Sequence, residues 1–116
     1  MEARAKSSHI RQSAQKMRLV IDQIRGRGVG EAYAILQYSK KRAAEQIDKT
    51  LRSAVANARV KAEDAGEFVD VDELYVKEAY VNEGPRLKRW QSAAMGRATP
   101  KIHPTSHVVV VVARKE

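Results

Sequence analysis

A chain of 116 residues with 22 Lys and Arg against 14 Asp and Glu, a net charge of +8 and no cysteine can bury one modest core, and it excludes disulfides, thiolate metal sites and thiol nucleophiles. The longest purely apolar run, Val108 to Ala113, is far short of a membrane span, and the first residues hold no apolar signal core. The expectation is a soluble cytoplasmic protein, a single domain over residues 1–116, whose basic surface favours polyanions, nucleic acid foremost.

In chain order, EARAKSSHI (residues 2–10) alternates small apolar with polar residues and reads as a strand with one basic face, Arg4 and Lys6. SAQKMRLVIDQIRG follows as an amphipathic helix. Ser13 can cap it, Met17, Val20, Ile21 and Ile24 recur at helical spacing, and Gly26 can take the left-handed ending. GRGVG then leads into a short helix from Glu31 to Tyr38 with Ala32, Ile35 and Leu36 on one face. Ser39 is expected to cap a long helix from Lys40 to about Ala65, whose stripe of Ala43, Ala44, Ile47, Leu51, Ala54, Val55, Ala58 and Ala62 ends at Gly66.

Beyond Gly66 the period changes. FVDVDELYVKEAYV alternates over Leu74, Val76, Glu78 and Tyr80 and reads as a strand. TSHVVVVVA, residues 105–113, is its expected antiparallel partner, with five valines implying either burial on both faces or an apolar outer face.

Between these strands lies GPRLKRWQSAAMGRATPKIHP, about residues 84–104, without helical or core-forming periodicity. If its two sides continue the flanking strands, it forms a hairpin arm projecting about 30 Å, with its tip near Gln91 to Gly96. Leu87, Trp90, Met95 and Ile102 are too few to offset the entropy of ordering such an arm, so a free arm is expected to be mobile. Arg86, Lys88, Arg89, Arg97 and Lys101, with no acid between Gly84 and His107 and with Trp90 interleaved, suit insertion among phosphates and stacked bases. A solvated flexible loop is the plainer alternative.

The charges are segregated. Glu63 to Glu83 holds eight acids against Lys77 alone, a local charge of about −7 that leaves roughly +15 elsewhere. Lys40, Lys41 and Arg42 crowd the expected first turn of the long helix, where the helix dipole disfavours cations, and this suggests phosphate contact rather than stabilisation. Arg4, Lys6, Arg11, Lys16 and Arg18, with His9 among them, make a third basic set, acid-free from Ala3 to Ile21.

These segments resemble the bacterial large-subunit ribosomal protein twenty-two family over nearly the whole chain. The likeness rests on SAQKMRLVIDQIRG, on SAVANA at Ser53 to Ala58, on VNEGPRLKR at Val81 to Arg89, and on GRA at Gly96 to Ala98 followed by TSHVVVVV at Thr105 to Val112. The resemblance implies an α+β fold, a three-stranded antiparallel sheet packed on three helices with a long protruding β-hairpin. It implies a body bound to large-subunit ribosomal RNA beside neighbouring ribosomal proteins, early binding during subunit assembly, and a hairpin lining the nascent-peptide exit tunnel. By matching motif, Arg11, Lys16, Arg18, Arg25 and His107 would contact RNA from the body. Lys88, Arg89, Trp90, Gln91, Ala93, Met95, Gly96 and Arg97 would face the tunnel and a passing nascent peptide. Family tips run proline, arginine, small, basic, glycine; this chain has Ser92, Ala93, Ala94, Met95 and Gly96, two cations fewer.

Two other function classes fit less well. An enzyme would rest on three histidines and the carboxylates, but Pro104 between His103 and His107 argues for extended chain, which would hold their side chains roughly 13 Å apart, and Asp70, Asp72 and Glu73 lack the glycine of a calcium loop. A helix-turn-helix DNA regulator would use Ser13 to Arg25, GRGVG and Glu31 to Tyr38, but its second helix offers only Glu31, Tyr33, Gln37 and Tyr38 to base edges. The expectation is therefore a non-enzyme with no cofactor, no metal, no membrane or DNA partner and no homo-oligomer.

Overall fold

The structure, a computed structural model, describes residues 2–92 and 94–115. In chain order it has strand β1 (Glu2–Ile10), helices α1 (Ala14–Ile24), α2 (Val29–Tyr38) and α3 (Arg42–Asp64), a 3-10 turn (Val71–Glu73), and strands β2 (Leu74–Glu83), β3 (Leu87–Ser92), β4 (Ala98–His103) and β5 (Ser106–Arg114). β5 lies between β1 and β2 in an antiparallel three-stranded sheet, and β3 and β4 form a separate antiparallel hairpin. The fold is α+β, as expected.

The core lies between the sheet and the helices. Met17, Ile21 and Ile24 from α1, Ile47 and Leu51 from α3, and Val108, Val110 and Val112 from β5 are fully buried in one apolar cluster. Alanines at Ala43, Ala44, Ala54, Ala58 and Ala62 bring the α3 backbone close to the sheet. The opposite face of β5 is shielded differently. Val109 sits between Lys6 and Tyr80, and Val111 between Arg4 and Glu78, so the stems of flanking side chains cover them; Val111 is only 8% exposed.

Three local expectations give way. Ser39 ends α2 rather than capping α3: its backbone N–H donates to Leu36 O and its Oγ accepts from Lys41 N at 3.3 Å, so Lys40 and Lys41 precede a helix that begins at Arg42. In β2 the register shifts between Val76 and Glu78, a bulge that turns Ala79 and Val81 inward in place of Glu78 and Tyr80. The arm strands do not continue the sheet. Pro85 and Pro104 lack the N–H that a continuing ladder needs, and the pairing stops at Glu83 with Ser106 before resuming at Leu87 with His103.

Helix ends follow the glycines. Gly66, at φ +71°, closes α3 with Glu67 N donating to Ala62 O and Gly66 N to Glu63 O, the paired bonds of a left-handed helix termination. Both edge strands are covered by side chains from the helices. On β2, Arg25 donates Nε and Nη2 to Ala79 O (3.0 and 2.7 Å) and Arg18 does the same to Val81 O (3.3 and 2.9 Å). On β1, Asn57 donates to Arg4 O and Lys61 to Glu2 O, each at 2.8 Å. Carbonyls capped in this way are no longer open to another strand.

Candidate nucleic-acid interface

The antiparallel order puts the end of β2, the start of β5, the end of β1 and the start of α1 at one end of the body, where the arm departs. The other end receives the C-terminus of α3, the 3-10 turn and the end of β5. Much of the acidic segment collects there: Glu63, Glu67 and Asp70 line one hollow, and Arg114 lies 3.8 Å from Glu67 and 3.6 Å from Glu73. Glu78 lies midway along β2 and Glu83 near Arg86 at the arm root. The charge segregation along the chain thus becomes a separation between two ends of the molecule.

At the arm end a cleft opens between the first turns of α1 and α3 and the base of the hairpin. Arg11, Lys16, Arg42, Arg89 and His103 line it together with Ser13, Gln12, Leu87 and Pro104, with no carboxylate in the lining. Two helix starts face this space. Ser13 caps α1 by accepting from Lys16 N at 3.4 Å, while Lys41 at the N-cap of α3 makes no side-chain capping bond. Helix N-termini carry partial positive charge and spare N–H donors, so cations and helix dipoles here act on an anion with the same sign.

Along the arm, strand alternation sorts the side chains. Arg89, Lys101 and His103 share one face with Leu87, while Lys88, Trp90, Pro100 and Ile102 share the other. Arg89 stands directly opposite Lys101, and like charges in that position destabilise an isolated hairpin. Lys88 Nζ lies 5.5 Å from the Trp90 ring centre, and Trp90 is 66% exposed. At the turn Met95 and Gly96 both have left-handed backbones (φ 63° and 71°), and Met95 is 98% exposed. Gln91 and Ser92 belong to β3, so the strand runs two residues past the predicted start of the tip, and Ala93 lies outside the described residues.

The other predicted RNA-contacting residues are distributed around this cleft rather than within it. Arg4 and Lys6 are exposed on the outer face of β1, and Lys40 and Lys41 on the connection before α3. His9 lines a neighbouring hollow with Arg11, Arg42 and Glu45. Arg86 flanks the arm root, and Arg97 sits at the turn. Arg18 and Arg25 hold the β2 edge, Arg25 also pairing with Asp22 at 2.8 Å. His107 is occupied at the arm root, where its Nδ1 accepts from His9 N at 3.0 Å. His103 was not predicted as a contact. Its signal is its pairing register on the arm, which puts it on the face of Arg89 and Lys101.

The alternatives lose footing in the same geometry. In the helix-turn-helix reading, Glu31 is held by Arg27 at 2.7 Å and Tyr33 packs under Arg52, whose guanidinium carbon is 5.5 Å from the ring centre. Burial raises the Tyr33 hydroxyl above the usual tyrosine range. His103 and His107 fall on different sheets, and among the described residues no three His, Cys, Asp or Glu side chains converge on one point.

Comparison with known proteins identifies the family. The Ribosomal protein L22p/L17e family matches residues 5–113. The chain belongs to this family. A Bifidobacterium longum protein named large ribosomal subunit protein uL22 is 49% identical over 116 residues, covering 100% of this chain and 98% of the relative. The protein of that name from Geobacter metallireducens is 50% identical over 115 residues, covering 99% and 100%, and that from Clostridium novyi 48% over 112 residues, covering 97% and 96%. Membership makes the L22p/L17e chain a structural protein of the large ribosomal subunit on the cytoplasmic ribosome, not an enzyme. No helix among the described residues is long and apolar enough to cross a membrane.

Proposed function

We propose that this chain binds large-subunit ribosomal RNA through its arm end, supports subunit assembly by doing so early, and extends its hairpin along the nascent-peptide exit tunnel. The observation that carries the reading is the cleft at the arm root, where Arg11, Lys16, Arg42, Arg89 and His103 converge with two helix N-termini and no acid. Such a cleft fits a turn of phosphate backbone, which would bridge body and arm. Arg89 and Lys101, opposed without a counter-charge, are better accommodated when phosphates lie beside them. Lys88 and Trp90 on the other face supply a cation and a stacking surface.

In this reading Arg4, Lys6, His9, Lys40, Lys41 and Arg86 widen the RNA footprint of the body. Trp90, Met95, Gly96 and Arg97 lie towards the end of the arm, where a nascent peptide would pass. The turn is apolar and exposed at Met95 rather than densely cationic, so its influence on a passing peptide is by shape and contact more than by charge. Neighbouring ribosomal proteins would meet the acidic end of the body.

The test is a titration of the protein against ribosomal RNA fragments and against random duplex DNA across a salt series. Tight binding selective for folded RNA, with a steep negative dependence on salt, is expected because several phosphates release counterions together. Equal affinity for duplex DNA would overturn the assignment. A structure of the assembled large subunit then tests the path of the hairpin directly.

A further inference from the structure

The hairpin is an arm without a ladder at its root, so its direction rests on a small number of contacts. Across the gap Gly84 N donates to Thr105 O at 2.9 Å, and Thr105 Oγ1 donates to Pro85 O at 2.5 Å. Two residues further along, within β5, an imidazole ties that strand to β1. His107 Nδ1 accepts from His9 N at 3.0 Å, and the two rings meet edge to face with centres 4.9 Å apart.

Three features show that these contacts are tightly constrained. His9 has a left-handed backbone, φ 57°, where β1 slips register between Ser7 and Ile10, and a non-glycine residue holds that conformation only where its surroundings enforce it. Its N–H is thereby aimed at His107. A Cβ built on Gly84 would lie 2.6 Å from Thr105 Oγ1 and 3.1 Å from His107 Nε2, so the strand passes too close for any side chain there. Thr105 itself is buried, 5% exposed, although it is polar and lies in a connection.

We infer that Gly84, Thr105, His107 and His9 form a latch that fixes the direction in which the arm leaves the body before any partner is engaged. Pro85 and Pro104 fix their own φ angles but leave the neighbouring rotations free. The hairpin ladder is about 20 Å long, so an unlatched turn of roughly 30° at the root would displace its end by about 10 Å. The latch removes that freedom in advance, lowering the ordering cost of any later insertion. His107 acts here as a positioning residue. The inference holds whatever the arm binds.

The chain has no cysteine, so one spin label at Gln91→Cys on the arm and another at Ser53→Cys on the exposed face of α3 report on the arm alone. Pulsed electron resonance on the free, full-length protein is expected to give one narrow distance distribution. Thr105→Val keeps the shape and removes the hydroxyl, and His107→Phe keeps a ring and removes the acceptor. Each is expected to roughly double the width of the distribution while the melting temperature stays unchanged. Gly84→Ala is expected to shift the mean distance. Unchanged distributions in Thr105→Val and His107→Phe would overturn the latch. Broadening that comes only with loss of the melting transition would overturn it as well, by assigning these residues to the stability of the body.

Discussion

Arg25 at the C-cap of α1 gives two donors to the carbonyl oxygen of Ala79, Nε at 3.0 Å and Nη2 at 2.7 Å, and so joins a helix end to the edge of the sheet. Arg18 repeats the arrangement on Val81 one layer along. Both arginines belong to the basic set expected to meet RNA, and both direct a pair of donors at a carbonyl of the β2 edge within the fold. Position along the chain gives no hint of this division of labour.

Arg25→Ala is therefore expected to lower unfolding free energy by about 1 kcal/mol, since a charged hydrogen bond is lost at a partly solvated site. Urea denaturation measures it. The salt dependence of RNA binding should stay unchanged, and a flattened slope with intact stability would show that Arg25 serves RNA instead.

Lys16 is expected to behave the opposite way. It lines the acid-free cleft and makes no side-chain bond within the described fold. Lys16→Ala should leave the urea midpoint unchanged and reduce the slope of log affinity against log salt by about 1, because one phosphate contact is lost. A binding isotherm at several salt concentrations reads this directly.

Body and arm should separate in stability. Leu51 is fully buried in the core cluster, so Leu51→Ala is expected to cost about 2 to 5 kcal/mol. Trp90→Ala should leave the melt nearly unchanged, since the ring buries little in the free protein. Hydrogen exchange should find the amides of β3 and β4 exchanging faster than those of β5 in the free protein, where the hairpin is formed but opens locally, and more protected when RNA is bound. A two-stranded hairpin with almost no buried side chains is marginal by itself, and strong protection in the free protein would contradict that account.

Glu2 and Lys77 form an exposed ion pair between β1 and β2. The hydrogen bond from Lys77, then its charge, holds the Glu2 carboxyl below the usual glutamate range, and the same contact raises the Lys77 ammonium. The Glu2 contribution to stability is thus present above the ordinary carboxylate value and is lost as pH falls through the depressed one. The Lys77 contribution is full below the ordinary lysine value and lost as pH rises through the raised one. Titration of Glu2 by nuclear magnetic resonance should show the low midpoint, and Lys77→Ala should return it upward. The effect on overall stability should be small, because the pair is solvated.

Much of this protein is legible in one dimension. Helical spacing of Met17, Ile21 and Ile24, the alanine stripe of α3, the valines of β5 and the glycines at Gly26 and Gly66 specify the elements, because burial periodicity and backbone sterics are local properties. The arm too is written locally, as a long stretch with bases, no acids and almost no core formers. Tertiary structure decided what depends on distant residues meeting. The bulge after Val76 reverses the face of Glu78 and Tyr80 because β2 must keep register with β5. Shielding of Val109 and Val111 follows from the central place of β5 between two strands. The basic stretches of the sequence divide into a cleft, an edge clamp and a root contact only when the fold sets Lys16 beside Arg89, Arg25 against Ala79 and His107 against His9. A cation in a sequence carries charge, and what that charge does depends on the atoms that folding brings within about 3 Å of it.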